Sequence, residues 1–264
     1  MKTTSITSRP KTWPYLGALA LVFIPTAGAI DHSNLDEHRP LRIEDPYPIA
    51  HGEIAIEAGL GGTLDRKREN RGLARAEFLW GALPNMHVAV GSFFSSDPHE
   101  VEEPEKSGDV HVSALYNFNQ ETLSLPAFGL KAEVDLPSGV DSTGTDVELK
   151  ALVTKSFDRL SVHLNAGYTF LHGEEDEERS GRYGVTLGAS YPLGAPQHTR
   201  TTLVADLFTE QSPLRGDKPI YGAEAGVRHQ LGTQTVFDAG VGTEFAGPRE
   251  RSTFFFTAGI SISF

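Results

Sequence analysis

Apolar and polar residues alternate with a period of two in short segments that follow one another from His51 to the end of the chain. In 109–119, for example, Val110 and Val112 alternate with His111 and Ser113. A period of two places neighbouring side chains on opposite faces of a β-strand. The pattern occurs in twelve segments, although 201–208 is less regular, and predicts strands at 51–61, 73–81, 86–95, 109–119, 128–136, 147–154, 160–170, 183–191, 201–208, 221–231, 235–245 and 253–264.

Together these segments predict an all-β fold, a transmembrane antiparallel up-and-down β-barrel of about twelve strands. About ten residues at roughly 3.3 Å each, tilted by about 40°, cover the apolar band of about 25 Å of an outer-membrane barrel. An even strand number is what bacterial single-chain barrels require. After residue 29, no stretch has the 18 consecutive apolar residues of a membrane helix, which excludes a helical membrane protein.

The connections between the segments tend to alternate in length. The longer, charged connections are 65–71, 96–108, 137–145, 172–181, 210–219 and 246–252. Between them come tight turns at 82–85, 157–159 and 232–234, whereas 119–126 and 192–199 are longer. Outer-membrane barrels have long outer loops and short periplasmic turns. The alternation therefore predicts an outer end with loops and a periplasmic end with turns.

The apolar face of the strands is expected to contact lipid. Aromatic residues near strand ends are predicted to mark the two membrane interfaces: Phe78, Trp80, Phe93, Phe94, Tyr116, Phe118, Tyr168, Phe170 and Tyr191. The last strand places one apolar row on a single face: Phe256, Ala258, Ile260, Ile262 and Phe264. This row resembles the C-terminal strand of outer-membrane barrels, which the barrel-assembly machinery recognises. We expect this strand to close against the first, so that no strand edge remains in lipid.

The first 29 residues have the three parts of a secretory signal peptide in order. Lys2, Arg9 and Lys11 are basic, 16–24 is apolar, and 27–29 (Ala-Gly-Ala) fits a cleavage site. We therefore expect 1–29 to be a signal peptide and the protein to reach the outer membrane of a Gram-negative bacterium.

The Pro-containing segment 30–48 precedes the barrel, which is predicted to span 49–264. We expect this segment to be extended. It is predicted to lie in the periplasm, the usual place for a terminal segment, or to form a plug in the lumen.

The polar face of the strands is expected to line the lumen. Its predicted lining residues are Glu53, Glu57, Arg75, Glu77, His111, Lys131, Glu133, Asp135, Glu148, Lys150, His163, Glu224, Arg228, Asp238 and Glu244. Charges of both signs can pair there, and unpaired charges need water. Twelve strands lie between small closed barrels and wide porins, so a narrow pore and a lumen closed by ion pairs both remain open. In a pore, the acidic excess would favour cations or neutral solutes.

The net charge and the absence of catalytic motifs argue against two classes of function, nucleic-acid binding and enzyme activity. The net charge of −12 argues against a nucleic-acid partner. The chain has no cysteine and neither a G-x-S-x-G nor an H-E-x-x-H motif, so we predict no catalytic residue, no enzyme activity, no metal and no cofactor. The expected partners are outer-membrane lipid and lipopolysaccharide, the barrel-assembly machinery and a small-molecule solute. The basic cluster Arg66, Lys67, Arg68 and Arg71 suits lipopolysaccharide phosphates, and equally a solvated loop tip without a ligand.

Three short stretches resemble a known family. They are 44–48 (EDPYP) before the first strand, 130–139 (LKAEVDLPSG) and 164–168 (LNAGY). They are similar to the outer-membrane transporters linked to the meta pathway of phenol degradation, although Ser138 stands where the family favours Thr. The resemblance implies a barrel that passes small, often aromatic or hydrophobic compounds. The alternative function is a closed structural or surface-interaction barrel that presents charged outer loops.

Overall fold

The computed structural model describes residues 30–36, 38–65, 70–96, 105–139, 144–172, 178–212, 214–248 and 252–264. The predicted signal peptide 1–29 and the basic residues Arg66, Lys67 and Arg68 lie outside these ranges. The described part of the chain contains no helix that is long and apolar enough to cross a membrane.

Within the described residues, twelve antiparallel strands form one closed barrel, which confirms the predicted fold. Each strand pairs with its neighbours in sequence, and β1 pairs with β12 to close the barrel. The strands are β1 (Ile54–Asp65), β2 (Asn70–Leu83), β3 (Met86–Ser96), β4 (Glu105–Asn119), β5 (Ala127–Leu136), β6 (Asp146–Phe157), β7 (Leu160–Phe170), β8 (Gly181–Leu193), β9 (Thr201–Glu210), β10 (Ile220–Gln230), β11 (Thr235–Ala246) and β12 (Ser252–Ser263).

Alternation along each strand separates an exterior and an interior surface. In β4, His111, Ser113 and Leu115 are buried, whereas Val112 and Tyr116 are exposed. Exposed apolar side chains of this kind surround the barrel, because in lipid they need no cover from other protein. Hydrogen bonding between all neighbouring strands satisfies the backbone groups that lipid cannot.

The end of the barrel with the short β2–β3, β6–β7 and β10–β11 turns is called the turn end. The first residues of β1 and the chain that precedes them lie at this end. Phe264 N donates to Ile54 O at 2.8 Å, and Gly81 N donates to Glu53 O at 2.9 Å. These bonds fix the point at which the preceding segment meets the barrel wall. That segment, residues 30–53 with residue 37 outside the described ranges, is called the N-terminal segment below.

The N-terminal segment lies inside the barrel. Near the turn end, Ile30 and Ile49 pack with Ala55, Leu79 and other wall residues. Deeper in the lumen, Leu35, Leu41 and Ile43 pack against Val204 of β9. Glycines give this segment room on the wall: a Cβ at position 188 would lie 2.3 Å from Ile43 Cδ1. A Cβ at position 240 would likewise lie 2.6 Å from Pro40 O.

Candidate functional site

The N-terminal segment enters and leaves the lumen at the same end of the barrel. Its two limbs are joined by Asp45, which accepts hydrogen bonds from Leu35 N at 2.8 Å and from Tyr47 N at 2.9 Å. Asp45 N also donates to Leu35 O at 3.0 Å. Burial raises the pKa of Asp45 well above its usual range. Because these bonds hold the two limbs together, the residues between them form a loop whose apex, around Arg39 and Arg42, lies deep in the barrel.

Arg39 connects this apex to the wall formed by β1, β11 and β12. Its guanidinium lies 2.7 Å from Glu57 Oε2 and 3.8 Å from Asp238 Oδ2. It also donates to Ser261 Oγ at 2.7 Å and to Ile260 O at 3.0 Å. The cation is almost fully buried, so each of these acceptors compensates part of its lost hydration.

Arg228 of β10 contacts the same part of the segment from the barrel wall. Its NH1 group donates to Arg39 O at 3.2 Å and approaches Asp36 Oδ2 at 3.4 Å. The Arg228 side chain has no exposed surface. Removing its partners would leave an uncompensated buried charge, which is strongly unfavourable.

Glu44 connects the returning limb to the opposite wall, formed by β5, β6 and β7. Its carboxylate lies 3.5 Å from Lys131 Nζ and 3.9 Å from Lys150 Nζ. These ammonium groups also approach Glu133 and Glu148, at 3.4 Å and 3.6 Å. The result is a line of alternating charges across two neighbouring strands.

Arg42 faces a third part of the wall, on β9 and β10. It donates to Glu210 Oε2 at 2.7 Å and to Glu224 Oε1 at 3.2 Å. Its backbone N–H donates to Glu224 Oε2 at 2.7 Å. The guanidinium carbon lies 4.0 Å from the centre of the Phe208 ring. Nearby carboxylates, Glu210 first among them, outweigh the effect of burial and raise the pKa of Arg42.

Hydrogen bonds anchor both ends of the segment near the turn end. Asn117 Nδ2 donates to Pro46 O at 2.9 Å, and Ile49 N donates to His87 Nδ1 at 3.3 Å. His32 Nδ1 lies 2.8 Å from Thr202 Oγ1. Polar contacts to many strands thus hold the segment across the lumen.

A cavity of 660 Å³ occupies the outer half of the lumen, above the apex of the segment. Residues 38–42 form its floor, and it extends to the outer ends of the strands, where Thr63, Arg71 and Thr169 line it. Among the described residues, six carboxylates and six Lys or Arg side chains line the cavity. Three aromatic side chains also contribute to the lining: Phe93, Phe208 and Phe255. The cavity thus offers charged groups of both signs and apolar ring surfaces to a solute.

The predicted lumen residues fall into three groups along the barrel axis. One group lines the outer cavity: Arg75, His111, Glu133, Asp135, Glu148, Lys150, Glu224 and Glu244. A second group lies at the level of the N-terminal segment or of the small void beside it, with Glu77 half-buried and the others buried: Glu57, Glu77, Lys131, Arg228 and Asp238. The others lie towards the turn end, where Glu53 immediately precedes β1 and His163 is buried between Thr154 and Ser190.

Several residues of the site were not predicted from the sequence. Arg39, Arg42 and Glu44 belong to a segment without a periodic pattern, and Glu210 was assigned to an outer loop. Phe93 was predicted to lie at the membrane interface, and this was wrong: its ring lines the cavity and covers Gly108 of β4. Phe93 has the same parity in β3 as the buried His87 and Ala89, so the alternation itself directs its ring into the lumen.

Comparison with protein-family models gives a match over residues 39–264, to the family described as "Putative MetA-pathway of phenol degradation". The match covers the apex of the N-terminal segment and the whole barrel. The chain belongs to this family. The predicted resemblance is therefore confirmed. No match is found among the curated proteins.

Solved structures similar to this family member are outer-membrane barrels. An outer membrane channel from Pseudomonas putida F1 matches with a TM-score of 0.65 and 13% identity, over 83% of this chain and 98% of that one. The NanC porin matches with a TM-score of 0.57 and 10% identity, over 79% and 98%. The KdgM porin matches with a TM-score of 0.54 and 12% identity, over 80% and 99%. The barrel is thus of the Gram-negative outer-membrane type.

Proposed function

We propose that this protein is an outer-membrane channel for small solutes, among them aromatic or hydrophobic compounds, and that its N-terminal segment controls passage. The 660 Å³ cavity carries this proposal, because it reaches the outer ends of the strands and ends on residues 38–42 of the segment. Its volume is in the range of small-molecule sites. A solute that enters from outside would meet the segment before it could reach the turn end.

The lining of the cavity supports this solute class. Phe93, Phe208 and Phe255 offer ring surfaces that can stack with an aromatic compound. The charged residues between them keep the cavity hydrated and can orient polar substituents. A related barrel, the KdgM porin, has been solved with disordered oligogalacturonate, so acidic saccharides belong among the solutes tested.

The contacts of the segment are of a kind that water can replace. Its buried apolar side chains form two small clusters with the wall. Its other contacts are ion pairs and hydrogen bonds, which exclude water while the segment is in place and which water can replace once the segment has left and the lumen has filled. Passage therefore requires the segment to move aside while the twelve hydrogen-bonded strands stay in place.

A planar-bilayer experiment tests this control. Wild-type protein should give small or intermittent currents, and a variant that lacks residues 30–48 should give larger and steadier ones. Heat-modifiable mobility on a gel shows in parallel that both barrels are closed and folded. Equal currents from the two proteins would contradict control by the segment. Absence of current from both would contradict the channel.

The alternative is a closed barrel that acts through its outer loops. The burial of Arg228 and Asp238, and the contacts of Arg39 and Glu44 with opposite walls, favour it. In this case the segment is a permanent part of the interior. Its deletion should then lower the stability of the barrel without creating a conducting path.

We also propose that the last strand serves barrel assembly. Phe256 and Ile260 are exposed on the outer face of β12, in line with Ala258, Ile262 and the terminal Phe264. The Phe264 backbone bonds to Ile54 at one end of the β1–β12 pairing that closes the barrel. Phe264→Ala should lower the yield of assembled barrel in the outer membrane while the purified protein still refolds in detergent. Unchanged yield would contradict recognition of this residue.

A further inference from the structure

The guanidinium of Arg42 contacts the barrel wall as a bound cationic ligand would. Two carboxylates, Glu210 at 2.7 Å and Glu224 at 3.2 Å, accept its hydrogen bonds. The Phe208 ring lies under the guanidinium at 4.0 Å. Carboxylates at the edge and an aromatic ring under the face are the two features that recognise a planar organic cation.

The wall around Arg42 carries more negative charge than this one cation balances. Asp206 of β9 is paired in register with Glu224 of β10 and is 4% exposed. Both Asp206 oxygens are buried without a hydrogen bond, although Glu224 and the Ile43 N–H lie close by. Glu244 lines the same cavity. A buried carboxyl group whose nearby partners, the Ile43 N–H and the Glu224 carboxyl, form no well-aligned hydrogen bond can accept a further cationic or hydrogen-bond-donating group.

The wall residues that contact Arg42 and Arg42 itself belong to different parts of the molecule. Asp206, Phe208, Glu210 and Glu224 lie on adjacent hydrogen-bonded strands, so the wall keeps its geometry whatever the segment does. Arg42 lies on the N-terminal segment, outside the strands. If the segment moves, these four wall residues keep their relative positions and become accessible from the cavity.

We propose that Asp206, Phe208, Glu210 and Glu224 form a binding site for organic cations that carry an amidinium, guanidinium or ammonium group, and that Arg42 occupies this site in the structure described above. This site is called the cation site. A solute cation that binds there displaces Arg42 and so favours release of the segment. That such cations are also transported rests on the proposed channel function, whereas binding at the site does not.

Benzamidinium and benzamide separate charge recognition from shape. The two molecules have nearly the same size, but only benzamidinium is a cation at pH 7. Isothermal titration calorimetry on the refolded full-length barrel measures binding without any requirement for conduction. In wild type, benzamidinium has to compete with Arg42. In Arg42→Ala, we expect it to bind at least about tenfold more tightly than to wild type, because the site is vacant and an organic cation gains both the aromatic and the carboxylate contacts.

Three further variants make the test specific. Arg42→Gln also removes the cation and serves if Arg42→Ala does not fold. In the Arg42→Ala background, Glu210→Gln should remove most of the gain in benzamidinium affinity. Arg215→Ala is the matched control, because it removes an exposed arginine of the β9–β10 loop that does not line the cavity. Its benzamidinium affinity should equal that of wild type.

A second measurement applies to the wild-type protein. Benzamidinium should increase hydrogen exchange of the backbone amides between residues 38 and 48, and benzamide should not. The proposal is overturned if benzamidinium binds Arg42→Ala no more tightly than wild type, or no more tightly than benzamide does. Binding without flux would leave the cation site standing and contradict the channel. Flux of neutral solutes without benzamidinium binding would leave the channel standing and contradict the cation site.

Discussion

Asn165 and Glu44 form a reciprocal pair of hydrogen bonds between the barrel wall and the N-terminal segment. Glu44 N donates to Asn165 Oδ1 at 2.8 Å, and Asn165 Nδ2 donates to Glu44 O at 2.8 Å. The amide of the side chain thus pairs with the backbone as a neighbouring strand would. Both residues are buried, so neither backbone group has water as an alternative partner.

Asn165→Ala is expected to loosen the segment. The change leaves two buried backbone groups of Glu44 without this partner, at a cost of about 1–3 kcal/mol for each group. Hydrogen exchange of residues 38–48 should become faster, and the mean current in bilayers should rise. Asn85→Ala, at the exposed turn between β2 and β3, is the control and should change neither. Unaltered exchange in Asn165→Ala would show that the pair does not hold the segment.

Charge removal from the cavity wall should change ion preference. Glu133 and Asp135 line the cavity beside Lys131 and Lys150. The double change Glu133→Gln with Asp135→Asn leaves these ammonium groups with fewer counter-charges, so the cation-to-anion permeability ratio should fall by about twofold or more. The reversal potential in a KCl gradient measures this ratio. Asp158→Asn, at the β6–β7 turn, is the control. An unchanged ratio in the double variant would mean that ions do not pass these residues.

Gly222→Ala should disturb the cation site through packing. A Cβ at position 222 would lie 2.1 Å from Phe208 Cζ and 2.8 Å from Thr243 O. The Phe208 ring must then shift, which disturbs its contact with Arg42, and we expect a loss of about 1–3 kcal/mol in the free energy of unfolding. Urea titration of the refolded barrel measures it. Gly232→Ala is the matched control, since no atom lies within 4 Å of its added Cβ. Equal unfolding midpoints for the two variants would contradict this packing.

The turn between β4 and β5 should contribute pH-dependent stability. Burial alone would raise the pKa of Glu121, but hydrogen bonds from Lys155 Nζ and from Ser156 N–H outweigh it and lower this pKa below its usual 4.5. Because the folded value is the lower one, the ionised group stabilises the barrel above the unfolded value and loses this effect as the pH falls through the folded value.

Glu121→Gln therefore should be less stable than wild type at pH 7. The difference should begin to shrink below about pH 4.5 and vanish at lower pH. Urea titrations across this range measure the difference. In Lys155→Met, the substitution of Glu121 should have a smaller effect. A difference that does not depend on pH would contradict the assignment to this carboxyl group.

The exterior of the barrel could be predicted from the sequence because lipid imposes a local rule. Every second residue of a spanning strand must be apolar, as in β7, where Leu164 and Tyr168 are exposed and alternate with the buried Asn165. Pairing of sequential strands then gives the topology without any long-range information.

The interior could be predicted less well because its contacts are long-range. Glu44 meets Asn165 across 121 positions in sequence, and Arg39 meets Ser261 across 222. The segment contacts several walls at once, so its side chains show no period. The less regular pattern at 201–208 has the same origin: Val204 and Phe208 are apolar on the lumen face because they pack against Ile43 and Arg42.

Solute flux through purified, refolded protein in liposomes tests the central claim most directly. Small sugars, acidic saccharides, phenols and small aromatic acids are compared for wild type and for the variant that lacks residues 30–48. We predict flux above that of protein-free liposomes, a preference for aromatic compounds over sugars in wild type, and faster flux of all solutes in the deletion variant. No flux of any solute through either protein, with both barrels shown to be folded by heat-modifiable mobility, would contradict the channel.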